Sequence, residues 1–554
     1  MDRGIHMASI TIKINGKDKE YEKGITLLEI SKDFKEKYKY DILVGSINNK
    51  LMPLKTTVTR NCSVEFYDLT SLLGNNVYQK GLQFLLSYCI KEILSCDVKM
   101  LYSLDNCIYC EILSNNVISD VTVEKIKNKM KYYSENGVEI EKIIVSRVDA
   151  MEYYKQTNQM DKANSLRYIS DSSISLYKIN NSLDYYYYVL PNNTNQLKCF
   201  NIKNLGNNKI VLMYPDFFDI EKELKYVKND KLMDTYNENS NFLNSLNITT
   251  SANLNKAISN GKYSDFIRIS EIIQNNEILN IVNTISKNKD IKIVLMTGPS
   301  SSGKTTISKK FSLLLKSKGI NPIQISLDDF FINVKDRELD ENGEPEKEKI
   351  SVINVELFNE KITDLINRKE VRMPKFNFKL GRQELSSEIT KMSDNSILVI
   401  EGIHSFSEKL LKNISNKYKY KIFLCPLTPL NIDNHNMFKS TDNRLIRRII
   451  RDNIFRNTSA SDTLRYWKNV RKAEEKNIFP YMKDADIILN TSLLYELPVL
   501  KTYAEALLFS VKEDDENYEE AIRLINLFRV IVSMPSDSVP QDSILREFIG
   551  GSCF

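Results

Sequence analysis

The stretch Gly298-Pro299-Ser300-Ser301-Ser302-Gly303-Lys304-Thr305 fits the pattern G-x-x-x-x-G-K-[ST], and it lies between an apolar run, Ile291 to Met296, and a helical repeat. That order has a specific physical use. Two glycines let the backbone curl until successive N–H groups point at phosphate oxygens, and the helix that follows adds its positive end. Lys304 is then placed to neutralise the β- and γ-phosphates, and Thr305 offers a hydroxyl to Mg²⁺. Ile307, Phe311, Leu314 and Leu315 recur at helical spacing behind the loop, and Gly319 ends the helix. These eight residues, with Thr306 beside them, form the candidate ATP-binding set.

Working outward, Pro322 to Leu327 reads as a buried strand that ends in Asp328-Asp329-Phe330-Phe331. Ligands of an open parallel sheet sit beyond the carboxyl ends of its strands. Asp328 is therefore expected to face the γ-phosphate, to meet the substrate, and to accept the proton of an attacking hydroxyl. Asp329 reads as a turn or helix-cap aspartate. The unbroken apolar run Ile397 to Ile400 fits a central strand buried on both faces, and Glu401-Gly402-Ile403-His404 emerges from its end. Glu401 is the candidate for holding Mg²⁺ through water, since hard cations take oxygen ligands and keep much of their hydration. His404 is a candidate substrate contact, against the plainer reading of a packed, hydrogen-bonding histidine. Strands at Lys421–Leu424 and Asp486–Leu489 would complete a five-stranded parallel sheet of the α/β class.

A third cluster, Asp442 to Asp452, carries Arg444, Arg447, Arg448 and Arg451, with Arg456 beyond. Arginines 444, 447/448 and 451 fall on one helical face, with Leu445 and Ile449 on another. A solvated basic face is the plain alternative. Next to a phosphate loop, however, guanidinium forks suit the charge that spreads over a transferring phosphoryl group. The cluster therefore reads as a phosphate-covering lid.

The chain has 554 residues, a net charge of +5 and 42% apolar content, which predicts three or four folded units and argues neither for nor against nucleic acid. Eight cysteines are scattered, and the close pair Cys107/Cys110 has none of the three histidines, His6, His404 and His435, nearby. Free thiols in a reducing cytoplasm are expected rather than a zinc site. No apolar run approaches the ~18 residues that would span a bilayer. Residues 1–9 read as an expression remnant, 10–70 as a small α+β unit opened by a hairpin at Asn15-Gly16, and 71–224 as a second α+β unit. Residues 225–287 read as a helical connector, 288–510 as the unit that carries the chemistry, and 511–554 as a tail. Tyr185 to Tyr188 read as half-buried strand residues in preference to base-stacking ones.

Residues 10–70 resemble the TGS domain, a β-grasp module found at the front of threonyl-tRNA synthetases. The segment Val77-Tyr78-Gln79-Lys80-Gly81-Leu82 resembles the editing domain that follows it there. That resemblance implies a metal-binding set of histidines and a cysteine, yet Tyr102-Ser103-Leu104 and Cys107-Ile108-Tyr109-Cys110 stand where it would fall and no H-x-x-x-H pair exists, so editing hydrolysis is not expected. Together, G-P-S-S-S-G-K-T, Ser326 to Phe331, Val399-Ile400-Glu401-Gly402 and the arginine cluster resemble the uridine kinase and phosphoribulokinase family. The whole architecture, through Ser543 to Phe554, is similar to bacterial TGS-fused nucleoside kinases. This implies a P-loop kinase fold behind a TGS domain and an editing-like domain, with Asp328 as base, Lys304 and Thr305 on ATP and Mg²⁺, and Arg448, Arg451 and Arg456 at acceptor and phosphates.

Departures from that family concern the acceptor. Where it reads the base with a tyrosine and a histidine, this chain has Phe376 and Gly381; its ribose-binding stretch is replaced by the charged segment Asp340 to Lys349, which contains Glu348 and suits a mobile acceptor flap. The expected activity is Mg²⁺-dependent transfer of the ATP γ-phosphoryl group to a nucleoside hydroxyl. The alternative is a regulatory or RNA-binding ATPase whose front domains dock on tRNA or the ribosome.

Overall fold

The computed structural model describes residues 9–104, 106–339, 343, 345–378, 380–428 and 430–554. Strand β1 (Ser9–Ile14) turns at Asn15 and Gly16, both at positive φ, and returns as β2 (Lys17–Glu22). Two consecutive residues at positive φ give the turn whose twist matches a hairpin. Ile10, Ile12 and Ile14 alternate inward, and helix α1 (Leu27–Lys32), held by a Thr26/Glu29 capping box, lies across them. Strands β3 (Val44–Ile47), β4 (Lys50–Met52) and β5 (Cys62–Tyr67) complete a sheet of order β2-β1-β5-β3-β4, in which β1 and β5 run parallel. Ser9, set aside above as part of an expression remnant, belongs to β1; residues 1–8 lie outside the described part.

The second unit is built on the long helix α2 (Leu72–Leu94), capped by Ser71. It continues through β6 (Val98–Leu104), β7 (Cys107–Ile112), α3 (Asp120–Asn136), β8 (Glu141–Ser146), α4 (Arg147–Gln156) and α5 (Met160–Leu166). Strands β9 (Ser173–Ile179), β10 (Ser182–Asp184), β11 (Asn201–Gly206) and β12 (Lys209–Met213) finish two sheets of order β11-β12-β7-β6 and β10-β9-β8. Tyr185 to Tyr188, expected on a strand, follow the end of β10 in irregular backbone. The carboxylate of Asp184, the last residue of β10, is tied to Lys162 and His435; beyond it Tyr186 is buried, and Tyr185, Tyr187 and Tyr188 are half-buried as expected. Helices α6 (Asp230–Ser245), α7 (Ser251–Ser259) and α8 (Tyr263–Lys287) lead into the third unit.

There, β13 (Ile293–Thr297), α9 (Lys304–Ser317), β14 (Asn321–Ser326), α10 (Val355–Ile366), a hairpin of β15 (Val371–Asn377) and β16 (Arg382–Thr390), β17 (Ser396–Glu401) and β18 (Lys419–Cys425) come in order. Helices α11 (Ser440–Arg456) and α12 (Ala460–Asn477), β19 (Ile487–Asn490) and α13 (Glu496–Phe509) follow. The sheet is fully parallel, of order β14-β17-β13-β18-β19. All five residues of β13 are buried, as a strand covered on both faces requires. The register places Ser326, Glu401 and Met296 side by side at the carboxyl edge. Residues 511–554 are not a loose tail: they form α14 (Tyr518–Phe528) and α15 (Arg546–Ile549), and Leu524, Phe528, Ile544 and Phe548 enter the same apolar core as Ile307, Phe311 and Leu424.

The segment Asn431 to Asn436, beyond β18, fastens the second unit to the third. The N–H of Met100 donates to the carbonyl of Asn434 at 2.7 Å, and that of Ser251 donates to the carbonyl of Asn431 at 2.7 Å. His435 is buried with its ring nitrogens 2.6 Å from Asp97 and 2.6 Å from Asp184. Burial opposes the imidazolium, yet Asp184 and Asp97 carry its pKa up to about 10, whereas burial-opposed attraction to His435 holds Asp97 well below the usual carboxylate range. Removing the imidazolium leaves two carboxylates short of a partner, so His435→Ala is expected to cost about 3–5 kcal/mol in a thermal or urea unfolding series. The His435 contribution should be full below pH 6.5 and be lost as pH rises through about 10, because its folded pKa lies above the unfolded one. A variant as stable as the parent would remove this account of the joint. Among the described residues no helix is long and apolar enough to cross a membrane.

Candidate active site

The phosphate loop leaves β13 at Thr297 and enters α9 at Lys304, with Gly303 at the N-cap and no side chain capping the helix. Its glycines answer to space. A Cβ on Gly298 would lie 2.3 Å from the Leu424 carbonyl oxygen, and one on Gly303, at φ +83°, would lie 2.6 Å from a methyl of Ile544. The Lys304 ammonium folds back to donate to the carbonyls of Gly298 at 2.9 Å and Pro299 at 3.0 Å. The hydroxyls of Ser301 and Ser302 are buried without a hydrogen-bond partner. Buried hydroxyls in that state carry an unrecovered desolvation cost, and phosphate oxygens would relieve it. The loop therefore fits a polyphosphate.

Across the loop stand two acids. Asp328 projects from the end of β14 into a cleft of about 2180 Å³ that Ser300 to Thr306 also line. Enclosure by the cleft walls raises its carboxyl above the usual range, while Lys304 and Arg456 pull the other way. Glu401 accepts a hydrogen bond from the Ser326 hydroxyl at 2.8 Å. Burial, reinforced by the like charge of Asp328, pushes its pKa up to about 7. A carboxylate so placed is uncomfortable alone, and with the Thr305 hydroxyl it offers the hard oxygen donors that Mg²⁺ takes. The residues fit that ion. Asp329, expected to cap a turn or helix locally, instead holds distant backbone: its carboxylate accepts the N–H of Phe376, 47 residues on, at 3.2 Å.

The arginine cluster divides in two, which corrects the lid reading. Arg444 and Arg447 are 1% and 0% exposed and never reach the cleft. Arg444 makes a two-pronged bond to Glu474, at 2.5 and 2.9 Å, and donates to the Ser300 carbonyl at 3.2 Å. Arg447 pairs with Glu496 and donates to the carbonyls of Ser301 at 3.2 Å and Thr491 at 2.8 Å. Glu474 also accepts the Ser300 N–H at 2.8 Å. Helix α11 thus lies beneath the phosphate loop and braces it. Arg448, Arg451 and Arg456 do line the cleft, and all three converge on Asp452, at 3.2, 2.8 and 3.4 Å. One carboxylate for three guanidinium groups leaves a positive excess beside the loop, and Arg448 donates to the Ser300 hydroxyl at 2.9 Å. Asp452, which orients the set, had no role assigned from sequence.

On the far wall, Phe376 makes edge contacts with Phe331 and Phe378 at centroid distances of 5.7 and 5.1 Å. The Arg337 guanidinium lies 4.9 Å from the Phe331 ring. Phe331, Phe378 and Arg337 were not singled out as site residues, because only the β15–β16 hairpin brings them together. Gly381 forms that hairpin's turn and lies away from the cleft lining. His404 is not a substrate contact here: it is 4% exposed, its Nε2 is 2.9 Å from the Glu348 carbonyl oxygen, and burial lowers its pKa to about 4. The Glu348 side chain lines the cleft. Of the charged flap, Asp340, Glu341, Asn342 and Glu344 lie outside the described residues. Among the described residues no group of three or more His, Cys, Asp and Glu could hold a metal, and in the second unit Tyr102 stacks on Tyr109 at 4.4 Å beside Cys107.

Residues 293–493 match the model of the Phosphoribulokinase / Uridine kinase family. A threonine--tRNA ligase of Caldanaerobacter subterraneus subsp. tengcongensis is 24% identical over 172 residues, 30% of this chain and 26% of the ligase. The chain spans less than a third of the length of that curated relative. Among solved structures, a protein described as a fructose transport system kinase from Silicibacter sp. TM1040 aligns at 16% identity and TM-score 0.30, over 38% of this chain and 98% of that one. One described as a possible uridine kinase from Bacillus stearothermophilus aligns at 17% and TM-score 0.26, over 39% and 100%. Residues 293–493 are thus a phosphoribulokinase / uridine kinase family domain with a P-loop kinase fold, set behind an N-terminal region similar to threonine--tRNA ligases.

Proposed function

We propose that the protein transfers the γ-phosphoryl group of ATP to a hydroxyl of a nucleoside. The observation that carries this reading is one cleft with a phosphate-shaped loop on one side, Asp328 across from it, and an aromatic corner beyond. Ser301, Ser302 and Lys304 hold the triphosphate. Arg448, Arg451 and Arg456 meet the charge that develops on the equatorial oxygens of the transferring group, already oriented by Asp452. Asp328 accepts the acceptor hydroxyl's proton as that oxygen bonds to phosphorus, a task its raised pKa suits. Thr305 and Glu401 would hold Mg²⁺, which neutralises charge on the β- and γ-phosphates. The rings of Phe331, Phe376 and Phe378, set edge to face, offer an apolar corner to a base, with Arg337 alongside. Incubation with γ-labelled ATP and a panel of nucleosides tests the reading through label in a nucleoside monophosphate.

A second reading draws on the fastening of the ligase-like unit to the kinase unit through His435, which would let nucleotide state reach a bound tRNA. It requires salt-sensitive tRNA binding that changes between ATP and ADP. Filter binding across a salt series that detects no such association removes it.

A further inference from the structure

The C-terminal segment runs along the phosphate loop itself. Ile544 packs its methyl over Gly303. Three residues on, the Glu547 carboxylate accepts both the Thr306 N–H, at 3.2 Å, and the Thr306 hydroxyl, at 2.7 Å. These two donors stand in the first turn of α9, where the helix end and loop would otherwise address an anion from outside the chain. Gly551, Ser552 and Phe554 continue along the rim of the same cleft. A carboxylate on these donors places a further negative charge near Lys304, which already has Glu401 and Asp328 as neighbours.

Around Glu547 the segment is firmly seated. The Ser543 hydroxyl lies 2.9 Å from that of Tyr495, and Arg546 donates to the carbonyls of Ser536 at 2.9 Å and Val539 at 2.8 Å. Phe548 is fully buried with the Arg447 guanidinium 5.1 Å from its ring. Release can therefore be local: Glu547 can swing off Thr306, and the last few residues can move, without unfolding α15.

We infer that Glu547 is a built-in occupant of the nucleotide's phosphate seat, so that the C-terminal segment restrains nucleotide entry and is displaced from Thr306 when a nucleotide phosphate takes its place. This rests on the reading of the loop as a nucleotide site. A carboxylate and a phosphate cannot share two donors, and their like charges exclude one another. Each nucleotide that binds must first break two hydrogen bonds to a charged acceptor, bonds stronger than neutral ones.

Glu547→Gln keeps the shape and an acceptor but removes the charge. Mg·ATP and Mg·ADP binding to the full chain, measured by calorimetry, is expected to tighten by about tenfold, a 1.4 kcal/mol change. Hydrogen exchange gives an independent readout in the unmodified protein: amides of residues 551–554, beyond α15, should exchange faster when nucleotide is saturating. Tighter binding by Glu547→Gln, or binding by that variant alone, supports the inference. Equal or weaker binding, or exchange at 551–554 that is unchanged or slower in the presence of nucleotide, overturns it. If unmodified protein binds nucleotide and Lys304→Met does not, the loop reading survives that failure. Absence of binding in both the unmodified protein and Glu547→Gln overturns the two together.

Discussion

Asp328→Asn is expected to lower phosphoryl transfer roughly 10²- to 10⁴-fold, the range for loss of a general base, while nucleotide affinity is kept or slightly increased. The asymmetry follows from position. Asp328 stands across the cleft from the phosphate loop and holds none of the loop's own hydrogen bonds, so the carboxamide removes a proton acceptor and a negative charge without touching the phosphate seat. The raised pKa of Asp328 makes it a stronger base than an exposed aspartate, and the variant forfeits that. Measuring kcat with the best acceptor alongside the Kd for ATP separates the two effects. Turnover retained in the variant would mean that the acceptor's proton leaves by another route.

Arg447→Met should act through stability. It strands Glu496 in a site where that carboxylate is 1% exposed, and breaking a buried pair by removing one partner costs about 3–5 kcal/mol. It also frees the Ser301 carbonyl, so whatever folded protein remains should bind nucleotide more weakly. Arg451→Met should do the reverse: its side chain is 15% exposed at the cleft and shares Asp452 with two other arginines, so the fold tolerates its loss while kcat falls. A thermal melt beside a kinetic assay distinguishes them. Equal melting temperatures with equal kinetic defects would return both arginines to a single lid.

These arginines also mark where reading the sequence stops. The phosphate loop was legible because everything it needs is local: an apolar strand, two glycines, a helix. The strand ends that deliver Asp328 and Glu401 were legible for the same reason. Arg444, Arg447, Arg448 and Arg451 share one helical face in projection, but their roles are decided by Glu474 and Glu496, tens of residues away, and by how deeply α11 is buried under the loop. His404 looked available at the end of a central strand, and packing against Glu348 closed it off. Glu547 carried no local signal, since its partner Thr306 is 241 residues distant in sequence. The tyrosine run misled in one respect: its composition favours a strand, but β10 ends at Asp184 and the four tyrosines continue in irregular backbone.

The central claim is that the cleft joins a triphosphate to an alcohol. The direct measurement is single-turnover transfer from γ-labelled ATP by the full chain with a panel of nucleosides, run beside Lys304→Met. The account predicts label in a nucleoside monophosphate from the parent protein and none from the variant. Label released only as inorganic phosphate, whichever nucleoside is supplied, would contradict it.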